Sequence, residues 1–188
     1  MNKFVFIRHG ETDMAGRFCG HSDPDLNAAG LEHARQAAER IAEEKIQRIY
    51  ASDLRRAAHT AEIVGARIGV EVEFRSGLRE LGFGAWEGLA WSEIEERFPR
   101  EAGRWIREFP HRAAPQGEEY ADFTARVENA MELLLVEAKS ATIAVVAHRG
   151  AISHALTAFF GYTEADAWNA TAQYGAVIVA NPRCEHID

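Results

Sequence analysis

Short apolar runs along the chain alternate with longer segments in which apolar residues recur every three or four positions. An apolar run of four to six residues between polar or turn-forming residues is typical of a buried β-strand. Such runs lie at residues 3–8, 48–51, 71–74, 142–147 and 176–179. Helical spacing predicts four helices, over residues 30–44, 52–68, 119–139 and 150–160.

The order of these patterns predicts the fold class. Alternating strands and helices favour an α/β protein, a three-layer α/β/α sandwich with a mostly parallel central sheet. Residues 75–116 hold three of the four tryptophans and show no clean strand period. We predict that they form loops and short helices that leave the sheet edge and cover the ligand crevice, with Phe83 or Trp86 as a candidate pocket wall. No linker divides the chain, so residues 1–188 are predicted to form one domain.

Charge and hydropathy exclude several classes of partner. The 188 residues carry a formal net charge of −8, which argues against nucleic acid and anionic membranes. No segment approaches the roughly 20 apolar residues of a membrane span, and the N-terminal apolar run is too short for a signal peptide. Cys19 and Cys184 alone provide no disulfide framework. These features predict a cytoplasmic protein.

Two of the predicted strands end in a histidine that is close to a glycine. The first strand leads into Arg8-His9-Gly10 and the fourth into His148-Arg149-Gly150. Open α/β sheets bind their ligands at the carboxyl ends of the strands. We therefore expect the two imidazoles to meet over one site.

Arginines near these strand ends indicate a phosphoryl ligand, because a guanidinium group donates parallel hydrogen bonds and stays charged. Arg8 is the first candidate. Arg55 lies in the first turn of a helix predicted to begin near Ser52. The helix dipole disfavours a cation there by up to about 1 kcal/mol, unless an anion binds in front of that turn. The alternative is that Arg55 or Arg56 simply pairs with a surface carboxylate.

His9 and Glu80 are the candidates for the chemical steps. Histidine has an ordinary pKa of about 6.5, so much of it is neutral and nucleophilic at cellular pH. A phosphoester also needs a proton for its leaving oxygen. Glu80 lies beside apolar Leu81, and burial near a bound dianion favours the protonated carboxyl. Glu87 and Glu11 compete for this role.

An ordered set of motifs extends over nearly the whole chain. The segments are Arg8-His9-Gly10-Glu11-Thr12, Tyr50-Ala51-Ser52-Asp53-Leu54-Arg55-Arg56-Ala57, Leu78-Arg79-Glu80, Gly84-Ala85-Trp86-Glu87-Gly88, Pro115-Gln116-Gly117-Glu118 and Val146-Ala147-His148. In this order they resemble the histidine phosphatase superfamily, in its phosphoglycerate mutase-like branch. Alpha-ribazole, phosphoserine and sugar-phosphate phosphatases share this kind of site, so the substrate stays open.

The resemblance implies a phosphoglycerate mutase-like fold and a set of roles. His9 would become a phosphohistidine, Arg8, Arg55 and His148 would hold the phosphoryl oxygens, and Glu80 would be the general acid and base. It implies no metal and no other cofactor. The expected partner is a small phosphorylated metabolite, and a homodimer is plausible.

Three departures from the family pattern bear on function. Ala15 stands where an asparagine usually contacts phosphate, so the backbone amides of Cys19 or Gly20 are candidate replacements. Arg149 stands where glycine is common, and it either adds a cation to the site or points into solvent. The chain is also short for a mutase. These features favour a phosphatase, with phosphoglycerate mutase and a weakly catalytic phospho-ligand-binding module as alternatives.

Overall fold

A five-stranded sheet forms the centre of the computed structural model, which describes residues 3–138 and 141–183. The strands are β1 (Lys3–Arg8), β2 (Arg48–Ala51), β3 (Val72–Phe74), β4 (Thr142–Ala147) and β5 (Val177–Ala180). Their order is β3-β2-β4-β1-β5, and only β5, paired with β1, is antiparallel. The sequence-based strand assignments agree with these bounds to within one residue.

Helices cover both faces of the sheet. They are α1 (Ala28–Arg40), α2 (Arg55–Ile68), α3 (Trp91–Arg97), α4 (Pro99–Glu108), α5 (Tyr120–Glu137), α6 (Arg149–Phe159) and α7 (Glu164–Ala170). Alternate side chains of β1 point to opposite faces. Val5 and Ile7 pack with apolar residues of α1 and α2, whereas Phe4 and Phe6 pack with those of α5 and α6. This arrangement is the predicted three-layer α/β/α sandwich.

Two of the helices begin elsewhere than predicted, for local reasons. The α1 helix begins at Ala28, because the Asn27 side chain caps it by accepting a hydrogen bond from the Gly30 amide at 2.8 Å. The α2 helix begins at Arg55, three residues after Ser52. Ser52 is instead fully buried directly after β2.

The segment over residues 75–116 consists of two short 3-10 turns followed by α3 and α4. It has a small apolar cluster of its own around Trp86 and Ile94. Trp86 is fully buried in this cluster and is not a pocket wall. Helix α7 was not predicted. Cys184, one of the two cysteines, lies outside the described residues. No helix of residues 3–138 and 141–183 is both long and apolar enough to cross a bilayer.

Sheet topology explains why distant residues meet. Strand β4 lies between β1 and β2, with Arg8 in register with Ala147, and Ala51 in register with Val146. The residues that follow these three parallel strands therefore emerge at one edge of the sheet. They are His9, Ser52 and His148.

Candidate active site

The two predicted histidines lie side by side at this edge. The ring centroids of His9 and His148 are 5.0 Å apart. His148 is fully buried and His9 is nearly so. The expectation that the two strand-end imidazoles meet agrees with this geometry.

Hydrogen bonds determine which nitrogen of His9 carries the proton. The Nδ1 atom lies 2.7 Å from the carbonyl oxygen of Gly10. A carbonyl oxygen only accepts, so Nδ1 is the donor and Nε2 of the neutral ring keeps its lone pair. That lone pair accepts a hydrogen bond from Nε of Arg56 at 3.3 Å. His9 therefore presents a nucleophilic nitrogen toward a guanidinium group.

Burial and neighbouring cations keep both rings uncharged. Burial, followed by the positive charges of Arg56 and Arg8, holds the pKa of His9 well below its ordinary value. Burial, and then the Arg56 charge, lowers the pKa of His148 in the same direction. At neutral pH both imidazoles are neutral, and this is the form of His9 that can attack an electrophile.

Ser52 orients the second histidine. Its hydroxyl oxygen lies 2.8 Å from Nε2 of His148 and also accepts a hydrogen bond from the Leu54 amide at 3.3 Å. The other ring nitrogen, Nδ1 of His148, is buried and has no hydrogen-bond partner within the described ranges. Ser52 belongs to one of the sequence motifs, but the sequence pattern predicts for it only the beginning of a helix and no contact with His148.

Arg8 is held firmly at the end of β1. Its Nη1 atom donates to the carbonyl oxygens of Thr171 and Ala172, at 3.1 and 2.6 Å, and its guanidinium carbon lies 4.0 Å from the centroid of the Tyr174 ring. Burial lowers the pKa of Arg8. Its Nε atom is buried without a partner in the part of the chain that the structure describes. Arg8 thus keeps one donor for a further acceptor.

The structure does not bring Arg55 to the histidines. Its side chain is 62% exposed and binds Asp25 at 2.5 Å. Arg56 is 1% exposed and contacts His9. Consecutive helical residues differ by about 100° in direction, so only one of the two arginines can face the site. This corrects the expected placement: the second guanidinium of the site belongs to Arg56.

Several carbonyl groups hold Arg56 in place. Its Nη1 atom donates to the carbonyl oxygen of Ser22 at 2.7 Å, and Nη2 to those of Cys19 and Gly20 at 3.2 and 2.7 Å. A buried cation without such partners is costly. These contacts fix the direction in which the guanidinium group points.

Glu80 lies at the other side of the site, between two backbone amides. Its carboxylate oxygens accept hydrogen bonds from the amides of Leu81 and Gly150, each at 2.9 Å. The carbonyl oxygen of Glu80 accepts a hydrogen bond from Arg126 at 2.7 Å, and Arg126 is itself paired with Glu118. The Glu80 carboxylate is therefore positioned next to the first turn of α6, which follows His148.

The two competing carboxylates have other contacts. Glu87 accepts hydrogen bonds from the amides of Gly20, His21, Ser22 and Phe83. Burial opposes ionisation of Glu87, but these hydrogen bonds outweigh it and the pKa of Glu87 is lowered. Glu11 accepts a hydrogen bond from the Asn27 side chain at 3.1 Å. The carboxylates of Glu87 and Glu11 therefore each hold a loop in place, and Glu80 remains the candidate general acid.

Of the two backbone amides expected to replace the missing asparagine, that of Gly20 already has another partner. Ala15 is exposed, and the Gly20 amide already donates to Glu87 at 3.0 Å. The carbonyl groups of Cys19 and Gly20 face Arg56. These two residues therefore support the buried guanidinium, and the Gly20 amide is not available for a phosphoryl oxygen.

Arg149 lies at the edge of the site. Burial lowers the pKa of Arg8 and the positive charge of Arg149 contributes to this lowering, so of the two expected positions Arg149 takes the one that adds a cation to the site. Its guanidinium carbon lies 3.7 Å from the centroid of the Trp168 ring, and Nη2 donates to the Trp168 carbonyl oxygen at 3.0 Å. Burial lowers the pKa of Arg149, while the nearby Glu80 charge opposes this change. Its partner Trp168 lies on α7.

An apolar cavity of about 610 Å³ adjoins Glu80. Side chains from the 75–116 segment, α5, α6 and α7 surround it. Phe83 is among them, as predicted for one of the two candidate wall residues. In residues 3–138 and 141–183, no group of three or more His, Cys, Asp or Glu side chains is arranged to hold a metal ion.

Comparison with known proteins assigns the family. Residues 4–186 match the model of the histidine phosphatase superfamily, branch 1. The chain belongs to this superfamily. It is 32% identical over 151 residues to phosphoserine phosphatase 1 of Hydrogenobacter thermophilus, a match that covers 79% of the chain and 71% of the relative. Three mycobacterial relatives are longer, and the chain spans 41% of each.

Solved structures with the same fold carry phosphatase names. Alpha-ribazole phosphatase from Shigella flexneri superposes with a TM-score of 0.86 at 25% identity, covering 96% of this chain and 94% of that one. A mycobacterial glucosyl-3-phosphoglycerate phosphatase in complex with inorganic phosphate gives a TM-score of 0.76 at 32% identity, covering 90% and 84%. Family and relatives identify this histidine phosphatase as a phosphoric monoester hydrolase, with a phosphoglycerate mutase-like α/β fold.

Proposed function

We propose that the protein hydrolyses a small phosphomonoester through a phosphohistidine intermediate on His9. The observation that carries this proposal is the neutral His9 ring, whose Nε2 lone pair faces the buried guanidinium of Arg56. An unprotonated nitrogen beside a fixed cation has what nucleophilic attack on a phosphoryl group requires.

Three further groups supply the charge and hydrogen bonds for the phosphoryl oxygens. Arg8 and His148 each carry a buried nitrogen without a partner in the described ranges, whereas buried polar atoms normally have one. Phosphoryl oxygens are acceptors that the Arg8 nitrogen can bind. Nδ1 of His148 is also a donor in the tautomer in which Nε2 accepts a hydrogen bond from the Ser52 hydroxyl. Arg56 takes the role that the sequence assigned to Arg55. Most of the rate enhancement would come from this fixed arrangement.

The reaction would proceed in two displacements at phosphorus. Nε2 of His9 forms a bond to phosphorus while the ester P–O bond breaks, and Glu80 gives its proton to the leaving alcohol oxygen. Glu80 then takes a proton from a water molecule, whose oxygen attacks phosphorus. The N–P bond breaks, and inorganic phosphate leaves the neutral histidine.

A radioactive phosphoryl label tests the covalent step. Wild-type protein that turns over labelled p-nitrophenyl phosphate and is quenched in alkali should retain the label, and acid should release it. His9→Gln should take up none, and the exposed His111→Gln control should label like the wild type. Label that persists in His9→Gln, or turnover by the wild type without label, would contradict the mechanism.

The same experiment examines Glu80. The p-nitrophenolate group leaves without needing a proton, so Glu80→Gln should still become phosphorylated. Hydrolysis of the intermediate requires the base. We therefore expect Glu80→Gln to accumulate more label than the wild type, and equal labelling and equal turnover would exclude Glu80 as the base.

A mutase is the alternative activity in the same family. Incubation with 3-phosphoglycerate, with and without a bisphosphate primer, separates the two activities. Net release of phosphate without a primer is expected, and primer-dependent isomerisation without phosphate release would favour the mutase. A binding module would bind phosphate esters without turnover.

Three expectations remain proposals here. Residues 1–188 would form one catalytic domain, in which the 75–116 segment covers the substrate. The protein would be cytoplasmic. Association into a homodimer, finally, is testable by sedimentation.

A further inference from the structure

Aromatic side chains form a large part of the cavity beside Glu80. Its volume is about 610 Å³, which lies within the range of about 300–1,000 Å³ typical of small-molecule sites. Phe83, Trp105, Phe109, Tyr120, Phe123 and Trp168 contribute aromatic rings to its wall. A small polar alcohol such as serine would leave most of this surface without contacts.

Aromatic rings form a continuous wall. The ring centroids are 4.7 Å apart for Trp105 and Phe109, 5.5 Å for Phe109 and Tyr120, and 5.8 Å for Tyr120 and Phe123. Trp168 and Phe109 remain 50% and 45% exposed. Large apolar side chains exposed around a cleft are typical of a binding surface. Flat apolar ligands gain most from such a wall.

The charge in the lining that does not take part in the reaction is acidic. Glu164 lines the cavity, and the lining residue His154 is paired with Glu128 at 2.8 Å. Glu80 also lines the cavity, but it is protonated when it acts as the acid and is not counted as a negative charge. Burial raises the pKa of Tyr120, and the carboxylates of Glu164 and Glu128 contribute to that rise. No lysine or arginine is among the described residues of the lining.

Two guanidinium groups lie next to lining residues, and both already have partners. Arg126 lies 5.0 Å from the Phe123 ring, donates to the Glu80 carbonyl oxygen and is paired with Glu118. Arg149 is held on the Trp168 ring and bound to the Trp168 carbonyl oxygen. A carboxylate inside the cavity would therefore face Glu164, with no lysine or arginine among the described residues of the lining to pair with it. The repulsion between like charges disfavours its binding.

The position of Glu80 relates the cavity to the reaction. In the proposed function Glu80 protonates the oxygen of the leaving alcohol. The rest of that alcohol must then extend from Glu80, and both Glu80 and the Gly150 amide that binds it line the cavity. The cavity thus holds the leaving group, whereas the histidines and arginines hold the phosphoryl group.

We propose that the cavity selects phosphoesters whose leaving alcohol carries an aromatic group and no negative charge. This inference rests on the proposed phosphatase function. It distinguishes between substrates that the family permits, because it disfavours esters that carry a carboxylate, such as O-phosphoserine and 3-phosphoglycerate.

Matched alkyl esters test the selectivity. Phenols are better leaving groups than alcohols, so aryl phosphates would confuse reactivity with recognition. With 2-phenylethyl phosphate, kcat/KM should be at least about tenfold higher than with O-phosphoserine or 3-phosphoglycerate, as expected for burial of one phenyl ring. Equal values, or a preference for the carboxylate esters, would overturn the proposal.

Two variants separate the charge from the apolar wall. Glu164→Gln should improve kcat/KM for 3-phosphoglycerate by about threefold and leave 2-phenylethyl phosphate unchanged. Phe109→Ala should raise KM for 2-phenylethyl phosphate by about threefold to tenfold and leave 3-phosphoglycerate unchanged. Glu62→Gln, an exposed substitution on α2, is the matched control. If neither variant changes the ratio of the two substrates, the cavity does not select them.

Binding to the inactive His9→Gln variant separates this inference from the proposed function. Calorimetry should show tighter binding of 2-phenylethyl phosphate than of 3-phosphoglycerate. If the wild-type protein hydrolyses neither ester but the variant shows this binding preference, the phosphatase function is refuted and the selectivity of the cavity is supported. Hydrolysis without any binding preference would refute the selectivity alone.

Discussion

Arg55 and Arg56 form a natural pair of test and control, because adjacent residues of one type have opposite surroundings. Arg56 is buried against His9, and Arg55 is exposed and paired with Asp25. We compare Arg56→Gln with Arg55→Gln. Glutamine removes the positive charge at either position. At position 56 its side-chain amide can still donate to the carbonyl oxygens that accept hydrogen bonds from Arg56 in the wild type.

The structure sets the size of the expected effect. Nε of Arg56 lies 3.3 Å from the nucleophilic nitrogen of His9, so a phosphoryl group in transfer to His9 is about 4 Å from the guanidinium group. Two unit charges at about 4 Å interact by about 4 kcal/mol at an effective dielectric constant of about 20. Arg56→Gln should therefore lower kcat/KM by roughly a thousandfold. A surface ion pair is worth about 0–1 kcal/mol, so Arg55→Gln should change kcat/KM less than about fivefold.

The assay is steady-state hydrolysis of p-nitrophenyl phosphate, with thermal unfolding to confirm that both variants fold. An NMR titration of His9 measures its pKa, which depends on the Arg56 charge and which a loss of loop packing alone would not raise. Because the Arg56 charge lowers the pKa of His9, Arg56→Gln should raise that pKa, although burial still opposes protonation. A larger loss of activity in Arg55→Gln than in Arg56→Gln would refute the assignment of Arg56.

Two further predictions concern groups around the same site. A methyl group at Gly150 would lie 2.3 Å from a Glu80 carboxylate oxygen, so Gly150→Ala should displace the acid and lower kcat about tenfold or more. The control Gly103→Ala, in an open part of α4, should leave kcat unchanged. Equal kcat values for the two variants would contradict this prediction. Since the folded-state pKa of His148 is well below 6.5, only the unfolded chain takes up its proton as the pH falls through 6.5. His148 should then lower the free energy of unfolding by up to about 1.4 kcal/mol per pH unit below 6.5, and His9, whose pKa is also lowered, should add a similar decrease. In urea titrations at pH 7 to 5, His148→Gln should therefore have a slope smaller than that of the wild type by up to this amount, with the His9 contribution retained. Parallel pH profiles for the two proteins would contradict the shift.

The residues that sequence reasoning located well are those fixed by strand ends. Strands β1 and β4 are apolar runs with clear limits, and a parallel sheet places their carboxyl ends together. His9 and His148 follow from that rule alone. No knowledge of side-chain packing is needed to bring them near each other.

Arg56 illustrates what a helical pattern leaves open, namely which side of the predicted helix faces the site. Placing the start of the helix near Ser52 left the facing direction of each arginine undetermined. Residues four apart share a helix face. Arg55 shares its face with His59, whereas Arg56 shares its face with Thr60 and Val64, both fully buried. Each face carries one polar and one apolar residue, because Ile63 continues the face of Arg55 and His59. The sequence pattern therefore favours neither arginine, and only the packing of α2 decides between them.

The position of Arg149 depends on contacts that no local pattern encodes. Its partner Trp168 lies on α7, a helix of seven residues that is too short for a clear period. The Glu80 carboxylate likewise depends on the Gly150 amide, 70 residues away in the sequence. Such pairs arise only when loops of different elements pack together.

Thr60 shows how one side chain joins the parts of this site. Its hydroxyl oxygen accepts a hydrogen bond from the Gly10 amide at 3.0 Å and donates to the Arg56 carbonyl oxygen at 2.7 Å. Gly10 also accepts from His9, so the nucleophile and the guanidinium group that faces it are connected through one buried hydroxyl. Any shift of α2 along the sheet would break these hydrogen bonds and leave buried groups unpaired, at about 1–3 kcal/mol each. The packing of α2 therefore sets the distance between the nucleophilic nitrogen and the cation, and the catalytic geometry is a consequence of the helix position.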